Sequence, residues 1–183
     1  MMDASTRASW ENLRSQDGAL RSEALSAMLV ATDSRVEWAY DVWDELLETL
    51  HHENNHQRAI AAQLLCNLAK SDPQQRMLRD FDKLLAVTKD EKFVTARHSL
   101  QAIWKVGAAG DQLRRLVLDR LAGRFSECAA EKNCTLIRYD IVQGLRKLYD
   151  QVRDEQVREM ALALIATEAD TKYRKKYATL WRR

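Results

Sequence analysis

Four arginines recur along the chain at nearly even intervals, and each is followed by the same train of apolar positions. Aligned on the arginines, the segments are Arg21-Ala24-Met28-Ala31, Arg58-Ala61-Leu65-Leu68, Arg97-Leu100-Trp104-Gly107 and Arg138-Ile141-Leu145-Leu148. Offsets of three, seven and ten residues share one face of an α-helix, because the helix turns once in about 3.6 residues. The arginines are 37, 39 and 41 residues apart, the length of a two-helix repeat. A hairpin of that size cannot bury its apolar stripe alone, so successive units must stack. The chain has room for about four to five of them.

Composition agrees with a helical fold. With 5 glycines and a single proline in 183 residues, the sequence lacks the punctuation that sheets and long loops require. Between Ser34 and His52, the residues Val36, Ala39, Tyr40, Trp43, Leu46, Leu47 and Leu50 form one apolar stripe at helical spacing. Capping signals at Ser34 to Glu37, Ser71-Asp72-Pro73-Gln74 and Thr88 to Glu91, with breaks at Asn54-Asn55, Gly107 to Asp111 and Asn133, cut the chain into helices. The predicted spans are 5–15, 18–31, 34–52, 55–70, 73–88, 91–107, 111–130, 134–149, 152–168 and 171–182. Connections this short place consecutive helices antiparallel and side by side.

At these positions the chain resembles HEAT-repeat proteins. The run Asp154-x-x-Val157-Arg158-x-x-Ala161-Leu162-Ala163-Leu164 is similar to the second helix of a HEAT unit, where an Asp opens the turn and Val-Arg begins the inner helix. Arg158 follows Arg138 by only 20 residues, so the repeat loses phase towards the C-terminus. The resemblance implies an all-α fold, a right-handed α-α superhelix of stacked helical hairpins, forming a single domain over residues 1–183. With no catalytic motif recognised, the function expected of such a fold is a non-catalytic scaffold without a cofactor, bacterial-type in the style of its sequence, that docks a protein or peptide on its inner helices. The polar neighbours of the stacking stripe are the expected contacts: Arg58, Arg97, His98, Gln101, Lys105, Arg138 and Gln143.

Charge does not select a partner, since the formal net charge is only +2. The cysteines Cys66, Cys128 and Cys134 are odd in number and have no C-x-x-C spacing. They are therefore expected to be small apolar residues in a reduced cytoplasm. No apolar run is long enough to span a membrane, and no membrane partner is expected.

Several constellations have a chemical reading beside a plainer one. His52-Glu53-Asn54-Asn55-His56 spells H-E-x-x-H, which holds zinc when both histidines share one unbroken helix face. Asn54-Asn55 instead suggests a turn and an N-cap, which would put the imidazoles on different elements, and no metal is expected. The repeated arginines would form a phosphate ladder if they faced outward. Because they recur in phase with the core, they are expected to bind the adjoining turns and lock unit to unit.

The segment from Lys172 to Arg183 carries Lys172, Arg174, Lys175, Lys176, Arg182 and Arg183 and no acid, with Tyr173, Tyr177 and Trp181 along one helical face. It reads as a terminal capping helix and, compatibly, as a basic patch for phosphate. Between Val36 and Gln57 lie Glu37, Asp41, Asp44, Glu45, Glu48 and Glu53 without a Lys or Arg. This is a solvated acidic face or a counterpart for the basic helix of another molecule.

The alternative function is nucleic-acid binding, in the manner of the alkylpurine DNA glycosylases with HEAT-like repeats. Trp104, Arg97, Lys105, Arg138 and Asp140 would line its basic, aromatic surface. Core packing is the competing account of Trp38, Trp43 and Trp104.

Overall fold

Short polar side chains start many of the helices, each accepting an otherwise unpaired N–H of the first turn. In the computed structural model, which describes residues 1–182, Asp3 caps α1 (Ala4–Asn12) and Asp17 caps α2 (Gly18–Ala31). Asn54 caps α4 (Asn55–Leu68), Asp154 caps α10 (Glu155–Thr167) and Asp170 caps α11 (Thr171–Thr179). The other α-helices among the described residues are α3 (Ala39–Thr49), α5 (Met77–Ala86), α6 (Phe93–Ala102), α7 (Trp104–Ala108), α8 (Asp111–Glu127) and α9 (Cys134–Val152). Three-residue 3-10 turns, Ala69–Ser71, Val87–Lys89 and Cys128–Ala130, prolong α4, α5 and α8. The described residues are all-α, and none of their helices is long and apolar enough to cross a membrane.

The three expected capping boxes are not used. Ser71 instead accepts the N–H of Val36 at 3.0 Å, and α3 begins at Ala39, not near Ser34. Pro73 sits in a turn, Gln75 has a left-handed φ of 55°, and α5 waits until Met77. There the carboxylate of Asp72 collects the N–H groups of Arg76 and Met77 as well as the Tyr40 hydroxyl. A carboxylate outcompetes a serine hydroxyl for these donors because the bonds are charge-assisted. Thr88 is buried and donates to the carbonyl of Leu85, while Asp90 accepts the N–H of Lys92 at 2.8 Å. The expected helix 91–107 is interrupted at Ile103, giving α6 and α7.

The chain divides into two compact units, Met1–Ser99 and Leu100–Arg183. In the first, α1 packs on α2 and α3 on α4, with second-neighbour contacts of α2 on α4 and α3 on α5. Its core holds Trp43, Leu64, Leu65, Met77, Phe81 and Leu84, all fully buried. In the second, α7 packs on α8, α9 on α10 and α10 on α11, with second-neighbour contacts of α7 on α9, α8 on α10 and α9 on α11. The repeated apolar positions are core positions: Ala24, Met28, Ala61, Leu65, Leu68, Leu100, Gly107, Ile141, Leu145 and Leu148 are buried, and Ala31 and Trp104 are half-buried.

One glycine sets the approach of α7 and α9. A Cβ on Gly107 would come 3.0 Å from a Leu148 methyl, tighter than an ordinary contact, whereas one on Gly144 would meet the Trp104 Cβ at an ordinary 3.6 Å. At the C-terminal end, the aromatic face of α11 packs on α9. Tyr177 is fully buried and donates to the carbonyl of Thr135 at 2.8 Å, with the Tyr139 ring centroid 6.4 Å away, and Trp181 lies 5.7 Å from the Tyr149 ring.

Candidate functional site

Three of the four repeated arginines, Arg21, Arg58 and Arg138, bond to turns. Arg58 Nε and Nη2 donate to the two carboxylate oxygens of Asp90 at 2.6 and 2.9 Å, and Nη1 donates to the carbonyls of His52 and Glu53 at 2.8 and 3.0 Å. One guanidinium therefore ties the turn before α4 to the turn before α6. Its hydrogen bonds to Asp90 raise the Arg58 pKa against the opposing effect of burial. Burial likewise acts to raise the Asp90 pKa, but the bonds from Arg58 and the Lys92 N–H hold it below the ordinary 3.8.

Arg138 repeats the device. It donates to the carbonyl of Phe125 at 3.0 Å and to Glu168 at 2.9 Å, with its guanidinium 4.7 Å from the Phe125 ring centroid. Arg21 is the least encumbered of the three: its Nη1 donates to the carbonyl of Ser15 at 2.7 Å, closing the turn before α2.

Of the other expected contact residues, Gln101 donates to the buried carboxylate of Asp140 at 3.2 Å. Asp140 is thus turned inward rather than presented beside Trp104 for a nucleotide. Arg97, Lys105 and Gln143 are half-buried, and His98 is exposed. On the C-terminal helix, Lys172, Arg174, Lys175 and Lys176 are exposed, as is Arg182 beyond it; Arg183 lies outside the described residues. All six acidic residues between Val36 and Gln57 are exposed, with Asp44 paired to Arg76 and Glu45 to Arg14.

The histidine pair is not on one helix face. His52 precedes α4, where its Nδ1 accepts the N–H of Asn54 at 2.9 Å, and Asn54 in turn accepts the N–H of His56 in the first turn of α4. Among the described residues no group of three or more His, Cys, Asp or Glu side chains could hold a metal ion.

What the fold does assemble is a pair of adjoining pockets in the unit Met1–Ser99, both lined by Arg21. The first, about 270 Å³, is walled by Arg14, Ser15, Gln16, Thr49, His52, Asn54 and Gln57. The second, about 310 Å³, is walled by Gly18, Ser22, Leu25, His56, Ile60, Gln63 and His98. Gln57 is fixed by donating to the carbonyl of Leu13 at 2.8 Å and Gln63 by donating to that of Ala59 at 3.0 Å.

Neither lining contains a carboxylate, whereas together they hold two guanidiniums and three imidazoles. Such a surface suits an anionic group beside a small apolar one, since Leu25 and Ile60 supply the only large aliphatic walls. His98, one of the expected contact residues, lines the second pocket; Arg14 and Gln57 were not singled out as contacts, because only the packing of separate elements brings them to the same cavity. Comparison with protein-family models and with curated proteins returns no match.

Proposed function

We propose that the chain is a non-catalytic, HEAT-type α-solenoid module that docks an acidic segment of a protein partner in the paired pockets around Arg21. The observation that carries this reading is the absence of any carboxylate from the linings of two pockets that share Arg21, the first also holding His52 and Arg14, which is paired with Glu45 outside the lining, and the second His56 and His98. Support for the stacked-hairpin architecture comes from the packing within each unit, where helices meet their first and second neighbours along the chain. Stacked hairpins require contacts of that order. Arg58, Arg138 and Gln101 are engaged with buried or half-buried acids. Of the expected set only His98 lines these pockets and is kept in the docking surface, and Arg21, whose side chain donates to the Ser15 carbonyl, is added to it.

The test is fluorescence anisotropy of the full chain with a labelled peptide of alternating glutamate and leucine. Arg21→Glu is expected to weaken binding by about tenfold or more, because it puts a like charge where the peptide carboxylate docks. Charge reversal at Lys172 and Lys176 is expected to leave this binding unchanged. Equal affinity for the parent and Arg21→Glu chains would remove the reading.

A second reading, nucleic-acid binding, rests on the exposed cluster Lys172, Arg174, Lys175 and Lys176 on α11. It requires affinity for a single-stranded oligonucleotide that falls with salt by about 0.7 logarithmic units per neutralised phosphate for each decade of salt. It also requires that the α11 reversals, and not Arg21→Glu, abolish it.

A further inference from the structure

Cys128 and Cys134 face each other across the turn that joins α8 to α9. Cys128 opens the 3-10 turn and is fully buried, while Cys134 is the first residue of α9 and is half-buried. Their sulfurs are 2.7 Å apart, and the Cys128 thiol also lies 3.3 Å from the carbonyl oxygen of Phe125. A disulfide bond measures about 2.05 Å, so the two sulfurs stand within about 0.7 Å of bonding distance.

The turn is clamped by groups that do not depend on the thiols. Buried Arg124 holds Glu131 through two bonds of 2.6 and 2.8 Å, and Arg138 grips both the Phe125 carbonyl and Glu168. Burial, and then the neighbouring Cys134 sulfur, push the Cys128 thiol up to about 12. Cys128 is therefore an inert thiol towards bulk reagents, whereas Cys134 is the sulfur a solute reaches first.

We propose that Cys128 and Cys134 form a reversible oxidation site, closed into an intramolecular disulfide by exchange with a low-molecular-weight disulfide. The Cys134 sulfur attacks one sulfur of the reagent, forming a mixed disulfide, and the departing thiolate takes up the Cys134 proton. The Cys128 sulfur then attacks Cys134 Sγ, expels the second reagent thiolate and passes its own proton to it. Two protein thiols are oxidised and one external disulfide is reduced to two thiols. The second step succeeds despite the high pKa of Cys128 because the attacking and attacked sulfurs are already in contact, which gives a very high effective concentration. Excess small thiol reverses the sequence. Cys66, fully buried in α4, takes no part.

The experiment equilibrates the full chain with mixtures of oxidised and reduced glutathione, quenches with acid, blocks remaining thiols with N-ethylmaleimide under denaturing conditions so that buried Cys66 and Cys128 are reached, and reads intact mass and a proteolytic map. With oxidised glutathione in excess, two of the three cysteines should escape blocking, the mass should fall by two hydrogens, and Cys128 should be linked to Cys134. Reduced glutathione should restore both thiols. Cys128→Ser should trap the glutathione adduct on Cys134, and Cys134→Ser should slow adduct formation at Cys128 by about tenfold or more. The proposal is overturned if both thiols remain open to blocking, if the parent chain stops at a stable adduct on Cys134, or if the linkage involves Cys66. Should either serine variant lose its helical circular dichroism, the map of the parent chain decides alone.

Discussion

Replacing Trp43 with alanine is expected to destabilise the unit Met1–Ser99 by about 3–5 kcal/mol, read as a shift of the urea unfolding midpoint. The indole is fully buried and packs edge-on against Tyr40 with ring centroids 5.9 Å apart. Truncation would leave a cavity in a core built from leucines, Met77 and Phe81, whose backbones are fixed by helices on all sides. It would also remove the donor that Trp43 Nε1 offers to the buried carboxylate of Asp80 at 3.2 Å.

The two losses separate in part in Trp43→Phe, which removes the N–H but keeps an aromatic ring and leaves a smaller gap. That variant should cost about 1–2 kcal/mol, the typical penalty for stripping one partner from a buried polar group. A cost below about 1 kcal/mol for Trp43→Ala would mean that the site collapses around the gap, and that this position does not anchor α3 to the rest of the unit.

Trp43 was legible from the sequence because it sits in a stripe with helical spacing, and the same logic located most helix centres. Asn54 was legible as a helix start because a short polar residue stands there at the edge of a periodic run, whereas the expected span 152–168 began two residues before Asp154, which caps α10. The failures are of one kind. Ser34, Ser71 and Thr88 match a local capping pattern, yet Asp72 and Asp90 hold the corresponding turns. The winner is decided by a partner more than 30 residues away in sequence: Tyr40 for Asp72 and Arg58 for Asp90.

The repeated arginines were read correctly as locks on adjoining turns for Arg58 and Arg138, since a residue in phase with the core must face inward. Nothing local identified which acid each would find. The anion-suited pockets and the Cys128–Cys134 contact were missed for the same reason. Both arise where separate elements converge, and a spacing rule tuned to C-x-x-C does not register a thiol pair bridging a 3-10 turn.

Arg58→Ala is the second large perturbation, with an expected cost of about 2–4 kcal/mol at neutral pH. The side chain of Asp90 is only 6% exposed, so removing the guanidinium strands an ionised carboxylate and frees two turn carbonyls at once. Arg58→Lys should recover less than half of the loss, because a single ammonium cannot make both the two-point contact with Asp90 and the bonds to His52 and Glu53.

The pH dependence distinguishes this account from a simple loss of packing. In the parent chain the Asp90 pKa is lowered from 3.8, burial opposing the shift and the Arg58 and Lys92 donors outweighing it. The pair's contribution is therefore fully present above the ordinary aspartate range and is lost as pH falls through the lower folded-state value. In Arg58→Ala the buried carboxylate loses its counter-charge and is relieved by taking up a proton. The stability gap between the two chains should consequently begin to narrow above the ordinary aspartate value, as the stranded carboxylate of Arg58→Ala takes up its proton, and go on narrowing below 3.8 as the parent pair is lost; in Asp90→Asn this acid limb should flatten. A gap that stays constant down to the pH at which both chains unfold would show that Arg58 acts through its aliphatic stem, and that the charge lock between the turns contributes nothing.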